Sequence, residues 1–333
     1  MKRPGCLLLR LPLLAFFTAL LLLAAPLETD AQQAAKVVTV GVMAPSERRN
    51  PIDVAFEQSL QDLGWVMNKN IRIETRYAAG RSDAFAPLAE ELVGLGVDVL
   101  VVWGVQAAAA SKRATSQIPV VFLGAAEPVR FGLVSSLARP GGNLTGVSFD
   151  ISVEMYGKNL ELLKEAVPAL TRVAILVPSG HPRSMDMPMI IGTAKHALNL
   201  EVRTIEMRAT TDLEAAVRRA KEQGAQALYV WSTSPIAWGR QLSELAIAQR
   251  LPSIHWYRES AIAGGLLSYA PSLTDIAARG AAYVDRILRG VKPADLPVEQ
   301  PTKFELVINI KTAKALGLKI PPSLLLRADQ VIQ

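Results

Sequence analysis

Three of the five tryptophans, Trp103, Trp231 and Trp256, each end a run of apolar and β-branched residues, and Tyr257 directly follows the last of them. Just beyond the ends of these and similar runs stand hydroxyls and an amide: Ser46, Gln106, Ser148, Ser179, Ser232 and Thr233. Carboxylates hold the same kind of position at Glu127, Asp150 and Glu259, with the guanidinium of Arg258 beside the last. Such a set does recognition and no bond-making. Flat rings receive an apolar or aromatic body, hydroxyls and the free N–H groups of helix starts receive a carboxylate, and Arg258 could clamp an acid bidentately. An ammonium would need Glu127, Asp150 or Glu259 as acceptor. Each residue also has a plainer reading, core packing for a tryptophan and solvation or helix capping for a carboxylate.

Catalytic groupings are missing from the sequence. His181, His196 and His255 have no metal-ligand spacing and no motif-like partner, so no metal is expected. There is no G-x-S-x-G, no phosphate-binding loop and no dinucleotide fingerprint, which leaves no catalytic residue and no cofactor to assign. The only cysteine, Cys6, precedes the apolar run 7–25, and thiol chemistry beyond that run is excluded.

A residue at a strand end needs a sheet to hold it. Runs 37–43, 71–77, 97–103 and 120–123 read as strands, the apolar ones long enough to be buried on both faces of a parallel sheet. Between them, Asn50 and Pro51 open a helix with the stripe Ile52, Phe56, Leu60 and Leu63. Phe85, Leu88, Leu92 and Leu95 form a second stripe, and 106–115 an alanine-rich helix. The stretch 124–150 then closes one set of elements and opens another, through the turn at Pro140, Gly141, Gly142 and Asn143 and a strand over 144–149. The second set repeats the plan. Val153, Tyr156, Leu160, Leu163 and Val167 mark a helix; 173–177, 202–207, 227–231, 252–256 and 266–269 are strands; 185–198, 211–223 and 240–249 are helices. This rhythm specifies an α/β chain of two doubly wound parallel-sheet lobes. A helix after Ser272 and a strand over 304–310 are surplus to the second lobe, so the chain is expected to cross between lobes several times and form a hinge. Ligands of open α/β sheets bind beyond the carboxyl ends of the strands, which is where the residues named above fall.

Composition agrees with a globular binding protein, 50% hydrophobic and 20% charged. The net charge of +6 contains no block of lysine or arginine, and this argues for solubility and against a nucleic-acid partner. Residues 7–25 follow Met1, Lys2 and Arg3 and lead to small and polar residues, the pattern of a signal peptide over 1–31 cleaved after Ala31. Arg10 and Pro12 interrupt the run and count against a membrane span.

The strings LARPGGNLTGVS, GKNLELLKEAVPALTRVAIL, AGGLLSYAPS and KPADLPVEQPTKFELVINIKTAKALGLKIPPSLLLRAD, with Gln61 to Trp65, resemble the family of ABC-transporter substrate-binding proteins that includes tryptophan- and tyrosine-type receptors. The resemblance covers the chain from Val37 to its end. It implies the type I periplasmic binding-protein fold, with an N-terminal lobe of 36–146 plus 271–295 and a C-terminal lobe of 147–270 plus 296–333. It further implies a monomer in the periplasm that binds a small solute and delivers it to an ABC permease with a cytoplasmic ATPase; the strand-end rings beside hydroxyls and helix starts, together with a family that includes aromatic amino-acid receptors, make an aromatic or other apolar amino acid the expected solute. Membrane contact would then come only through the permease. A periplasmic sensor docking on a membrane kinase or chemoreceptor is the alternative on the same fold.

Overall fold

The computed structural model describes residues 37–149, 153–179, 184, 186–207, 212–231 and 235–333. The expected signal segment 1–31, Asp150, His181, Thr211, Ser232 and Thr233 lie outside the described residues. No helix among the described residues is long and apolar enough to cross a membrane.

The first lobe alternates β1 (Val38–Ala44), α1 (Pro51–Asp62), β2 (Ile71–Tyr77), α2 (Phe85–Gly94), β3 (Val99–Trp103), α3 (Gly104–Ala114), β4 (Val120–Ala125) and β5 (Leu144–Ser148). Its sheet is parallel throughout, in the order β2-β1-β3-β4-β5. The buried run Val-Leu-Val-Val of β3 shows why a central parallel strand reads as unbroken apolar sequence: helices cover both faces. α1 starts where its sequence directs. The Asn50 side chain accepts from the Ile52 N–H at 2.9 Å while Asp53 accepts from the Asn50 N–H at 2.9 Å, and Pro51 fills the first helical position.

The second lobe contains α4 (Val153–Ala166), β6 (Arg172–Pro178), α5 (Met187–Leu198), β7 (Glu201–Met207), α6 (Leu213–Glu222), β8 (Ala227–Val230), α7 (Pro235–Ala248), β9 (Ser253–His255), α8 (Arg258–Ile262) and β10 (Leu267–Pro271). The chain then forms α9 (Leu273–Leu288), β11 (Phe304–Asn309), α10 (Ile310–Ala315), α11 (Pro322–Arg327) and β12 (Gln330–Ile332). Seven strands stand in the order β12-β11-β10-β9-β8-β6-β7. β11 runs antiparallel to β10, and β12 follows β11, so two strands of this sheet depart from the purely parallel arrangement read from the sequence.

α9 leaves β10 in the second sheet and packs on α1 and on β3, β4 and β5 of the first. The chain returns along β5: Thr145 Oγ1 donates to the Leu296 carbonyl at 2.6 Å, and the Ser148 N–H donates to the Glu299 carbonyl at 2.8 Å. Gly146 lets β5 lie close against β4. At φ +146°, a Cβ there would lie 2.0 Å from the Phe122 carbonyl oxygen on the neighbouring strand. One hydrophobic core is shared by both sheets, running from Val40, Phe56 and Leu123 through Phe149 and Tyr156 to Ile175 and Tyr229. Separate clusters cover the opposite face of each sheet, around Leu100 and Phe122 in the first and Leu176 and Leu228 in the second.

Candidate functional site

In the first lobe the sequence-named residues follow the carboxyl ends of β1, β3, β4 and β5. Ser46, half-buried, accepts from Asn50 Nδ2 at 3.2 Å, and its carbonyl accepts from the Ala79 N–H at 3.0 Å. Trp103 ends β3 half-buried against the core, its ring passing below Gly124, and Gln106 is exposed in the first turn of α3. After β4 a register shift between Leu123 and Ala125 and a positive φ at Gly124 (+66°) redirect the backbone, and Glu127 itself takes φ +45°. A left-handed glutamate ahead of a proline is a strained turn, of the kind that concentrates at functional sites. The Glu127 carboxylate pairs with Arg130 at 2.7 Å, and the same Nη1 of Arg130 reaches Asp186 of the second lobe at 3.2 Å. Ser148, at the end of β5, is fully buried, and its Oγ has no hydrogen-bond partner.

In the second lobe the named residues divide. Ser179, past the end of β6, is exposed; its N–H donates to the Met207 carbonyl at 2.7 Å and its hydroxyl faces Glu206 at 3.4 Å. Trp231 is fully buried and Trp256 nearly so, their rings stacked with centroids 4.9 Å apart. Tyr156 of α4 packs 4.8 Å from Trp231, and Trp256 Nε1 donates to the Tyr229 hydroxyl at 2.6 Å. In this conformation the two tryptophans are therefore spent on each other and on two tyrosines. Tyr257, half-buried, lies 5.8 Å from Phe149, with its hydroxyl pushed well above the usual tyrosine range by burial and then by the charge of Glu259. Glu259 opens α8. Burial raises its carboxyl above the ordinary value, its own backbone N–H opposes that shift, and its Oε2 is buried without a hydrogen-bond partner.

Arg258 departs from the clamp the sequence suggested. Its guanidinium turns to the sheet edge and donates to Glu305 at 3.0 Å and Gln330 at 2.7 Å, anchoring β11 and β12, whose presence beside it the local sequence did not reveal. His255 is buried with Nε2 2.9 Å from Ser253 Oγ. No cluster able to hold a metal occurs among the described residues. The sequence reading passed over Arg130, Asp186 and the ring contacts of Tyr156. The spacing of Glu127 and Arg130 at i, i+3 was the one local signal for the first; the partner 56 residues away had none.

The profile of the family described as ABC transporter substrate binding protein matches residues 38–332. The chain belongs to that family. A substrate-binding protein of this family is a receptor for small solutes. A tyrosine-binding protein of Clostridioides difficile (strain R20291) is 24% identical over 265 residues, 79% of this chain and 76% of that protein. Among solved structures, a conserved domain protein from Vibrio cholerae is 25% identical with a TM-score of 0.80, covering 89% of this chain and all of its own. An ABC domain from Streptococcus pneumoniae in complex with L-Trp is likewise 25% identical at TM-score 0.80, over 89% of this substrate-binding protein and 99% of its own chain. The fold is that of the type I periplasmic binding proteins, two α/β lobes.

Proposed function

We propose that this substrate-binding protein takes up an aromatic or other apolar amino acid between its lobes and delivers it to an ABC permease driven by a cytoplasmic ATPase. In this reading it works outside the cytoplasm as a monomer, after removal of residues 1–31. The lobes are proposed as 36–148 with 271–295 and 149–270 with 296–333, the first boundary set two residues later than the sequence suggests so that β5 stays whole. The observation that carries the reading is a buried carboxylate oxygen, Glu259 Oε2, left without a protein partner beyond the end of β9. Buried acceptors are rarely left unmet, and an ammonium supplies the missing donors. Ser148 Oγ, buried and unmet beyond the end of β5, is a second polar contact for the same solute. Trp103, half-buried, is the strand-end ring of the first lobe proposed to stack on an aromatic body; Trp231, Trp256 and Tyr257 are the proposed aromatic side of the second lobe. Ser46, Gln106, Glu127, Asp150, Ser179 and Ser232 complete the proposed lining. The relatives named for tyrosine and L-Trp point to the same class of solute.

Titration calorimetry with L-tryptophan and L-tyrosine tests this. Trp103→Ala should weaken binding about 2- to 12-fold, the loss of one aromatic contact. Glu259→Gln should weaken it about tenfold or more, and should leave binding of the deaminated analogue indole-3-propionate unchanged. Absence of binding to either amino acid, or equal losses for tryptophan and its deaminated analogue, overturns the reading.

A further inference from the structure

We propose that Arg130 is an ionic latch that holds the two lobes together before any solute arrives. The turn carrying it is firmly built. Pro128 follows the left-handed Glu127, the Phe131 N–H returns to the Glu127 carbonyl at 3.0 Å, and the Leu133 N–H returns to the Pro128 carbonyl at 2.7 Å. Lys112 of α3 ties the same turn down by donating to the Gly132 carbonyl at 2.5 Å. From this base one guanidinium nitrogen serves two carboxylates, Glu127 of its own lobe at 2.7 Å and Asp186 of the other at 3.2 Å. Glu127 fixes the guanidinium in advance, so its rotamer entropy is largely spent before the second carboxylate is engaged.

Asp186 is a suitable receiver. It is nearly buried and stands immediately before α5, yet its side chain makes no capping hydrogen bond to that helix. The carboxylate is therefore directed to another partner, and Arg130 is one. Separation of the lobes leaves the Glu127 pair intact and breaks only the contact to Asp186. The Arg130 side chain is 38% exposed, so salt reaches the bridge and screens it. The inference goes beyond the proposed solute, because the contact is complete within the chain.

Pulsed electron-electron resonance between spin labels reads the latch without solute. On a Cys6→Ser background, labels at Arg113→Cys of α3 and Glu244→Cys of α7 report on the two lobes from exposed positions. Arg130→Ala should add a longer-distance population. Sodium chloride at about 1 M should do the same to the parent and change the variant no further. Asp186→Asn should reproduce the effect, and the double variant should open no more than either single one. Circular dichroism checks folding, and the salt series on the parent still tests the latch should a variant fail to fold. Distance distributions that superimpose for parent and Arg130→Ala at both salt levels, or additive opening in the double variant, overturn the latch. Failure of L-tryptophan to bind would leave these distances unaffected, so the two proposals fail separately.

Discussion

His255 shows how a single residue ties this fold to pH. Its imidazole is buried between Ser253 and Gly265, where a Cβ on the glycine would come within 2.5 Å of the ring, and desolvation lowers its pKa from 6.5 to about 3. The folded state thus refuses a proton that the unfolded chain accepts. Above pH 6.5 the two states bind equally and nothing is lost; between 6.5 and about 3 the unfolded state binds more, and stability falls with pH. By pH 4.5 the loss from this residue should reach about 2 to 3 kcal/mol. Urea titrations at pH 7 and 4.5, for the parent and for His255→Asn, isolate this contribution. The variant should lose distinctly less stability on acidification, and equal losses would show that His255 does not titrate in this window. In the sequence His255 reads only as a histidine without metal-ligand spacing, packed or at the surface, and its burial comes from the strands around it. For Trp231 the reading was ambiguous: alternation puts Tyr229 and Trp231 on one face of β8, but whether that face meets solvent or Tyr156 depends on α4, which is far away in sequence.

Among the elements, α9 joins the lobes, and at Gly280 it packs directly on β4 of the first sheet. A Cβ at that position would fall 2.3 Å from Leu123 Cδ2 and 3.0 Å from Cδ1, and Leu123 is fully buried in β4. Gly280→Ala sets two effects against each other. Helix propensity gains up to about 1 kcal/mol, while overpacking costs about 1 to 3 kcal/mol. At so short a distance the clash should win and Tm should fall; a rise would mean that α9 can shift off β4 freely. The apolar stripe of α9 and its place after the second set of strands were readable from Leu273, Ile276, Val284 and Ile287; the strand over 304–310, expected to be surplus to the second lobe, instead pairs with β10 there as β11. The antiparallel setting of β11 was not readable, because a strand of either direction has the same alternation. β12, α10 and α11 span only three to six residues each, too few to display a period.

At the scale of the whole molecule, the question is whether the lobes unfold as one body or as two. The chain passes between the sheets after β5, after β10 and again before β11. A shared core runs through Phe149 and Tyr156, and the return segment is hydrogen-bonded along β5 through Thr145 and Glu299. Neither lobe can unfold without exposing apolar surface of the other, so calorimetry on the unliganded protein should give one transition, with calorimetric and van't Hoff enthalpies in agreement. A solute held by both lobes must then move that transition as a whole. L-tryptophan at about 1,000 times its dissociation constant adds about 4 kcal/mol, which for the unit Val37–Gln333 corresponds to a rise in Tm of about 6 °C. A trace that splits with ligand, one part moving and the other staying, would place the solute on a single lobe. In that event Trp103 and Glu259, which come from opposite lobes, could not both contact it.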